Sequence, residues 1–169
     1  MNRSGNKLAI NGGMAVIAHS MPKRNLIGED ERAAVLELID NSIRSGDPIR
    51  YNGKYEEEYT LKFVNFMGGG YADGVNSGTN AFFSALGALN IEPRSEVIVP
   101  SITDVGGISP VFFHSLIPVI SDVSNNSYNI SAEEIELLIT DKTRAIVVAH
   151  IAGEPVDMNP IMELANRYN

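Results

Sequence analysis

The run Ala145-Ile146-Val147-Val148-Ala149 is apolar at every position. A strand with one wet face alternates apolar and polar residues, so an unbroken run of this kind belongs to a strand covered on both faces. Glu96-Val97-Ile98-Val99-Pro100 is a second strand of the buried type, the segment from Ile117 to Val123 reads as another strand, and helix-patterned stretches lie between them. Strands of the buried type alternating with helices restrict the fold to the α/β class, with a mainly parallel sheet and flanking helices. Ligands in such sheets sit at the carboxyl ends of the strands. Three loops leave strands at that edge with polar or glycine-rich content: Asn76–Asn80, Pro100–Gly107 and His150–Asp157.

The rest of the chain divides by its punctuation. Residues 1–27 read as an irregular arm, with Gly12-Gly13 and Pro22. Gly28-Glu29-Asp30-Glu31 opens a helix whose acidic first turn suits the helix dipole, and Val35, Leu36, Ile39 and Ile43 give it one apolar face. Ser45-Gly46-Asp47-Pro48 ends it. A second helix is expected from Lys54 to Met67, with Tyr55, Tyr59, Phe63 and Phe66 as a buried stripe and Glu56, Glu57 and Glu58 solvated. Gly68-Gly69-Gly70 stops it. Tyr71–Asn76 then reads as a strand and Gly78–Leu89 as a helix, with Phe82, Phe83, Leu86 and Leu89 inward. Asp104–Leu116 reads as a helix weakened by Gly106, Gly107 and Pro110. Ser131 and Glu134 form a capping box for a helix to about Thr140, and Asp157 caps a last helix through Asn166. The pattern divides into residues 1–53, an arm and first helix, and residues 54–169, an α/β portion.

Composition excludes several classes. The chain has 169 residues, enough for one domain with a core, and a net charge of −8. An acidic balance argues against nucleic acid or a membrane surface as the main partner. There is no cysteine, so thiolate chemistry and disulfides are excluded. His19, His114 and His150 lie far apart and show no metal-ligand spacing. The polar opening Met1–Lys7 lacks the apolar core of a signal peptide, and a cytoplasmic protein is the simplest expectation.

The segment Asn76-Ser77-Gly78-Thr79-Asn80-Ala81 carries the chemistry. A small-residue turn between strand and helix leaves the first helical N–H groups unpaired and, with the helix dipole, makes an anion site. Gly78 lets a phosphate approach the backbone, and the Ser77 and Thr79 hydroxyls add donors. Taken alone the turn has a second reading, since Ser and Thr cap helices wherever they occur.

Several ordered motifs resolve that ambiguity. Val75-Asn76-Ser77-Gly78-Thr79, Glu96-Val97-Ile98-Val99-Pro100-Ser101, Pro118-Val119-Ile120, Asp122-Val123, Tyr128-Asn129-Ile130, and Thr143 to His150 with Gly153 and Asp157-Met158 resemble the DegT/DnrJ/EryC1/StrS family. Leu8-Ala9-Ile10-Asn11-Gly12-Gly13 is similar to that family's N-terminal arm. These are pyridoxal-phosphate (PLP) aminotransferases, mostly of keto-sugars. The resemblance implies the N-terminal part of the large domain of an aspartate-aminotransferase-like PLP-dependent transferase, with the sheet incomplete. It implies transfer of an amino group from glutamate or glutamine to a keto-sugar, nucleotide-linked in many members.

By the same resemblance, Ser77, Gly78, Thr79 and Asn80 form the turn that holds the PLP phosphate, chiefly through backbone N–H groups. Asp104 stands where the family usually carries an aromatic residue stacked on the pyridine ring, and an acid cannot stack. Either the ring is held differently or Asp104 only caps the helix that follows. His150 matches a strand-end histidine for which a hydrogen-bonded structural role is expected, and Tyr51 and Gly53 match a stretch near the substrate side of the dimer. The Schiff-base lysine has no counterpart: Lys7, Lys23, Lys54, Lys62 and Lys142 all lie outside the family's lysine motif. The chain alone is therefore expected to be inactive, with Tyr71–Asn76 awaiting a neighbouring strand from the remainder or a second polypeptide; otherwise that strand is misplaced or disordered. The resemblance also implies a homodimer, in which two subunits build each active site. The alternatives are a non-catalytic truncated paralogue that binds a partner chain or phosphate ligand, and an independent four-stranded α/β domain with no PLP role.

Overall fold

A computed structural model describes residues 7–24 and 26–169. The polar opening on which the absence of a signal peptide was argued lies almost wholly outside the described residues. The chain falls into two compact units, Met1–Tyr59 and Thr60–Asn169. None of the described helices is long and apolar enough to cross a membrane.

In the first unit, a 3-10 turn at Ala9–Asn11 precedes α1, Glu29–Ser45, and α2 begins at Lys54 and runs to Phe66. Gly28 starts α1 in extended geometry and Gly46 ends it in the left-handed region at φ 78°. The Gly28 N–H donates to the Glu31 carboxylate at 2.7 Å. No described residue of this unit is buried. Both helices form where their periodicity places them, but Val35, Leu36, Ile39 and Ile43 of α1 stay exposed. The expected buried stripe on α2 is corrected: Tyr55, Tyr59, Phe63 and Phe66 are all exposed. Periodicity identifies the apolar side of a helix, and burial requires a covering element that periodicity does not specify.

The second unit is built on three parallel strands: β1, Glu96–Pro100; β2, Ile117–Ser121; and β3, Thr143–Ile146. Their order is β2-β1-β3. Ile98 stands opposite Val119 on one side and Ile146 on the other. The ladder continues beyond β3, with the Val147 N–H donating to the Ile98 carbonyl at 2.8 Å. A register shift at Glu96/Val97 leaves Arg144 unpaired, and its guanidinium donates to the carbonyls of Asp141 and Thr143.

Side chains alternate across this sheet and divide the core in two. Val97 and Val99 point to one face, where Leu86, Val111 and Leu116 cover them. Ile98 points to the other, among Ile130, Ile135, Val156, Ile161 and Leu164. The first layer comes from α3, Gly78–Ala88, and α4, Ser109–Phe113; the second from α5, Ala132–Glu136, and α6, Met158–Tyr168. The apolar run of β1 thus has the cause assigned to it, with helices on both faces; the outer strands are partly exposed, and the strand expected over Arg144–His150 ends at Ile146.

Several elements differ from expectation. Tyr71–Asn76 forms no strand, and Tyr71 is fully exposed. A strand needs a neighbour for its backbone groups, and no strand stands beside this segment among the described residues; the Gly74 N–H turns to the Asp73 carboxylate instead. The four-stranded reading is corrected with it. The Asp104–Leu116 helix shrinks to a 3-10 turn, Val105–Gly107, and the short α4, because paired glycines followed by Pro110 break the ladder. The expected helix to Thr140 stops at Glu136, and the Ser131 side chain makes no N-cap bond. The Glu133 backbone N–H and, after it, the Ser131 side chain lower the Glu133 pKa. The last helix behaves as expected: the Asp157 carboxylate accepts from the Asn159 N–H at 3.2 Å.

Two tests follow from this architecture. Ile98→Ala removes a fully buried side chain from the middle strand and should cost about 2–5 kcal/mol in urea denaturation, while Ile120→Ala, half exposed on the outer strand, should cost less than about 1 kcal/mol. Equal losses would contradict the two-faced core. The second test concerns Glu31, whose pKa is lowered by the Gly28 N–H and by its own backbone N–H. A lowered folded-state pKa means that its support for α1 is complete above the ordinary carboxylate range and is lost as pH falls through the lowered value. NMR titration of the Glu31 carboxyl should place its midpoint below that of a free glutamate; an elevated midpoint would contradict the cap.

Candidate functional site

The head of α3 and the loop after β1 meet at the carboxyl edge of the sheet. Ser77 is the N-cap of α3, in extended geometry at φ −163°, and its Oγ accepts from the Asn80 N–H at 3.1 Å. The Ala81 N–H donates to the Ser77 carbonyl at 3.0 Å. The Asn80 side-chain amide donates to Asn76 Oδ1 at 2.6 Å, and the Ser77 hydroxyl leans on the same oxygen at 3.4 Å. Asn76, Ser77 and Asn80 therefore brace one another, using the backbone N–H of Asn80 and one N–H of its side-chain amide.

Two N–H groups remain. Those of Gly78 and Thr79 open the helix and meet no acceptor among the described residues. A Cβ added to Gly78 would find no atom within 4 Å, so the approach to both donors is open. Free amides at the positive end of an eleven-residue helix attract an anion. The hydroxyls expected to assist are otherwise engaged. Ser77 caps the helix, and Thr79, half-buried, turns Oγ1 toward Gly106.

The second loop is braced just as closely. Asp104 is the N-cap of the Val105–Gly107 turn, and its Oδ1 accepts from the Gly106 N–H at 2.5 Å. The Gly107 N–H returns to the Asp104 carbonyl at 2.9 Å. Asp104 thus acts as a cap, one of the two readings its sequence position allowed. Gly106 is buried beneath Thr79, so Thr79 and the Asp104 loop stand together. Farther along α3, His114 stacks on Phe83 at 4.3 Å and its Nε2 donates to the Phe83 carbonyl at 2.9 Å, clamping the helix to the end of α4.

The third loop is tied in from below. His150 Nδ1 accepts from the Val156 N–H at 2.9 Å, the hydrogen-bonded structural role expected of it. Asn129, buried, donates to the Glu154 carbonyl at 2.9 Å and accepts from the Ile151 N–H at 3.0 Å. Sequence reasoning placed Asn129 in a motif without giving it a task and treated Gly106 only as a helix breaker. The signal for Asn129 was its place beside apolar Ile130, where a buried amide must find partners. Tyr51 and Gly53 belong to the first unit, with the Tyr51 ring fully exposed.

Comparison with known proteins gives these features a context. The GDP-perosamine synthase of Caulobacter vibrioides is 36% identical over 140 residues, which cover 83% of this chain and 36% of that protein. The aminotransferase from Psychrobacter cryohalolentis superposes with a TM-score of 0.77 at 34% identity, over 88% of this chain and 36% of its own. NtdA from Bacillus subtilis, solved with bound cofactor PMP, gives a TM-score of 0.76 at 29% identity, over 85% of this chain and 32% of its own. The chain thus spans about a third of the length of the relatives it matches. Residues 27–169 match the family as a whole, and on that match the chain belongs to the DegT/DnrJ/EryC1/StrS aminotransferase family.

Proposed function

We propose that this chain forms the cofactor-phosphate side of a PLP-dependent aminotransferase that moves an amino group from glutamate or glutamine to a nucleotide-linked keto-sugar. The observation that carries this reading is the pair of acceptor-free N–H groups on Gly78 and Thr79, at the open head of α3 on the carboxyl edge of the sheet. They fit a phosphate: the approach is clear at Gly78, and the donors are neutral and preorganised. Ser77 and Asn80 hold the turn, and Asp104 holds the loop beside it. The name of the Caulobacter relative, a GDP-perosamine synthase, supports a nucleotide-linked sugar.

When bound, PLP supplies an electron sink for amino transfer. The Gly78 and Thr79 N–H groups would bind and orient its phosphate, with Ser77 and Asn80 holding the turn. The lysine that holds the cofactor covalently comes from other polypeptide in this reading: Lys142 immediately precedes β3, at the amino end of the sheet and opposite the Gly78 corner. The topology supports such a completion. The step from β1 to β2 passes over one face through α4, and the return from β2 to β3 passes over the other through α5, so both connections have one hand. Because α6 lies on the α5 face, a further connection of the same hand sets the next strand beside the free edge of β3. There the chain leaves an open groove of about 640 Å³ lined by Ile146, Val148, Met158 and Ile161. Further chain or a second subunit completes the site.

Gly78→Val tests the phosphate turn. The added side chain meets no protein atom at its Cβ, so thermal stability should change little, while PLP retention in equilibrium dialysis should fall at least about tenfold through the obstructed anion approach. Unchanged retention would remove the assignment.

Asp104 favours a second reading, in which the chain binds a phosphate ligand without turnover. By the resemblance Asp104 stands where an aromatic residue is usual, and its carboxylate is committed to Gly106. The two readings divide on Asp104→Phe. If the position faces the cofactor ring, PLP should bind about three- to tenfold more tightly while the melting temperature falls with the lost cap. If only the melting temperature moves, the ring does not lie at residue 104, and the ligand-binding reading gains.

A further inference from the structure

Gly106 is the tightest point of this corner. It is buried, and a Cβ built on it would lie 2.2 Å from Thr79 Oγ1, 2.9 Å from Asp104 Oδ1 and 3.3 Å from Thr79 Cβ. Contacts of that kind are far inside van der Waals separation, so no side chain fits without movement. Asp104 Oδ1 is the end of a side chain, but Thr79 is β-branched and carries the crowded atom directly on Cβ, with few χ1 wells to which it can retreat. The same residue bears one of the two acceptor-free N–H groups. Gly106 is itself pinned, because its N–H is held by Asp104.

We propose that Gly106 is a positioning residue for the anion turn: its missing side chain lets the first turn of α3 settle onto the loop after β1, and this contact sets where the Gly78 and Thr79 N–H groups point. The proposal rests on the reading of that turn as the PLP-phosphate site and adds to it the residue that aims the donors. Gly106 touches no ligand in this scheme and acts through Thr79. Any side chain at position 106 rolls the head of α3 away from the loop, and a hydrogen bond to an anion weakens steeply once its donor is turned.

The test uses three forms of the chain: wild type, Gly106→Ala, and Gly106→Ala combined with Thr79→Ala. The second substitution removes the crowded Oγ1 but keeps the backbone N–H at position 79. Each form is titrated with PLP and with pyridoxal, which lacks the phosphate, and followed by the amide resonances of Gly78 and residue 79 and by thermal melting. Wild type should bind PLP more tightly than pyridoxal. Gly106→Ala should shift both amide resonances without ligand and weaken PLP about tenfold, leaving pyridoxal unchanged. The double variant should recover most of the PLP affinity, which a merely structural loss at position 106 would not do. If Gly106→Ala is too unstable to titrate, the double variant still decides: near-wild-type PLP affinity supports the proposal, and affinity reduced tenfold overturns it. Wild type binding PLP and pyridoxal alike, or neither, overturns the phosphate turn and the role of Gly106 together. Wild type preferring PLP, with Gly106→Ala equally preferring it, overturns the role of Gly106 alone.

Discussion

Val97, Ile98 and Val99 are all closed to solvent, and three consecutive strand residues can be so only if both faces of their sheet are covered. That double burial governs the second unit. It requires helices on both sides, which the parallel order β2-β1-β3 provides by connections of one hand. Connections of one hand deliver every strand end to the same edge. The loops that follow β1, β2 and β3 are therefore neighbours by construction, and the polar side chains they carry gather there without being adjacent in sequence. The Asn129 bridge to Ile151 and Glu154 is one product of this convergence. The loop after β1 also meets the head of α3 there, where Thr79 packs on Gly106.

The elements most legible in the sequence are those whose signal is internal to a segment. The apolar run at β1 reports burial on two faces and its strand forms in full, whereas the run at β3 forms a strand only as far as Ile146. Asp157 caps α6 because an N-cap bond needs only the next two residues. What failed depends on something outside the segment. Tyr71–Asn76 has strand-like composition but lacks a partner among the described residues. The aromatic face of α2 has the right spacing and stays exposed. The Ser131 capping box needed side chains to reach across the first turn, and the Ser131 side chain makes no cap bond.

The candidate site was legible in its location and less so in its mechanics. A strand–helix turn with Ser77, Gly78 and Thr79 predicts free N–H groups, and two are free. The roles within the turn are redistributed, however. Side chains expected to contact the anion are used to hold the backbone: Ser77 and Asn80 bond inward, and Thr79 packs downward. A glycine that accepts a close approach leaves no local mark in a sequence, since its neighbour in space, Thr79, is far away along the chain. Gly106 therefore read only as a weakness in a helix.

Asp104 ties these points together. An N-capping carboxylate rigidifies its loop, and here it does so by taking the Gly106 N–H, a donor that would otherwise face the same edge as those of Gly78 and Thr79. The loop after β1 thus adds rigidity to the corner and subtracts a donor from it. A carboxylate near an anion site also opposes the anion, but Asp104 is exposed and its charge is screened by water and salt, whereas the helix-head amides act at contact distance. The balance favours an anion held at the head of α3 alone, with the neighbouring loop as a brace. In the proposed scheme, grip on the phosphate depends on the aim of two amides, and their aim depends on how closely α3 can settle against residue 106.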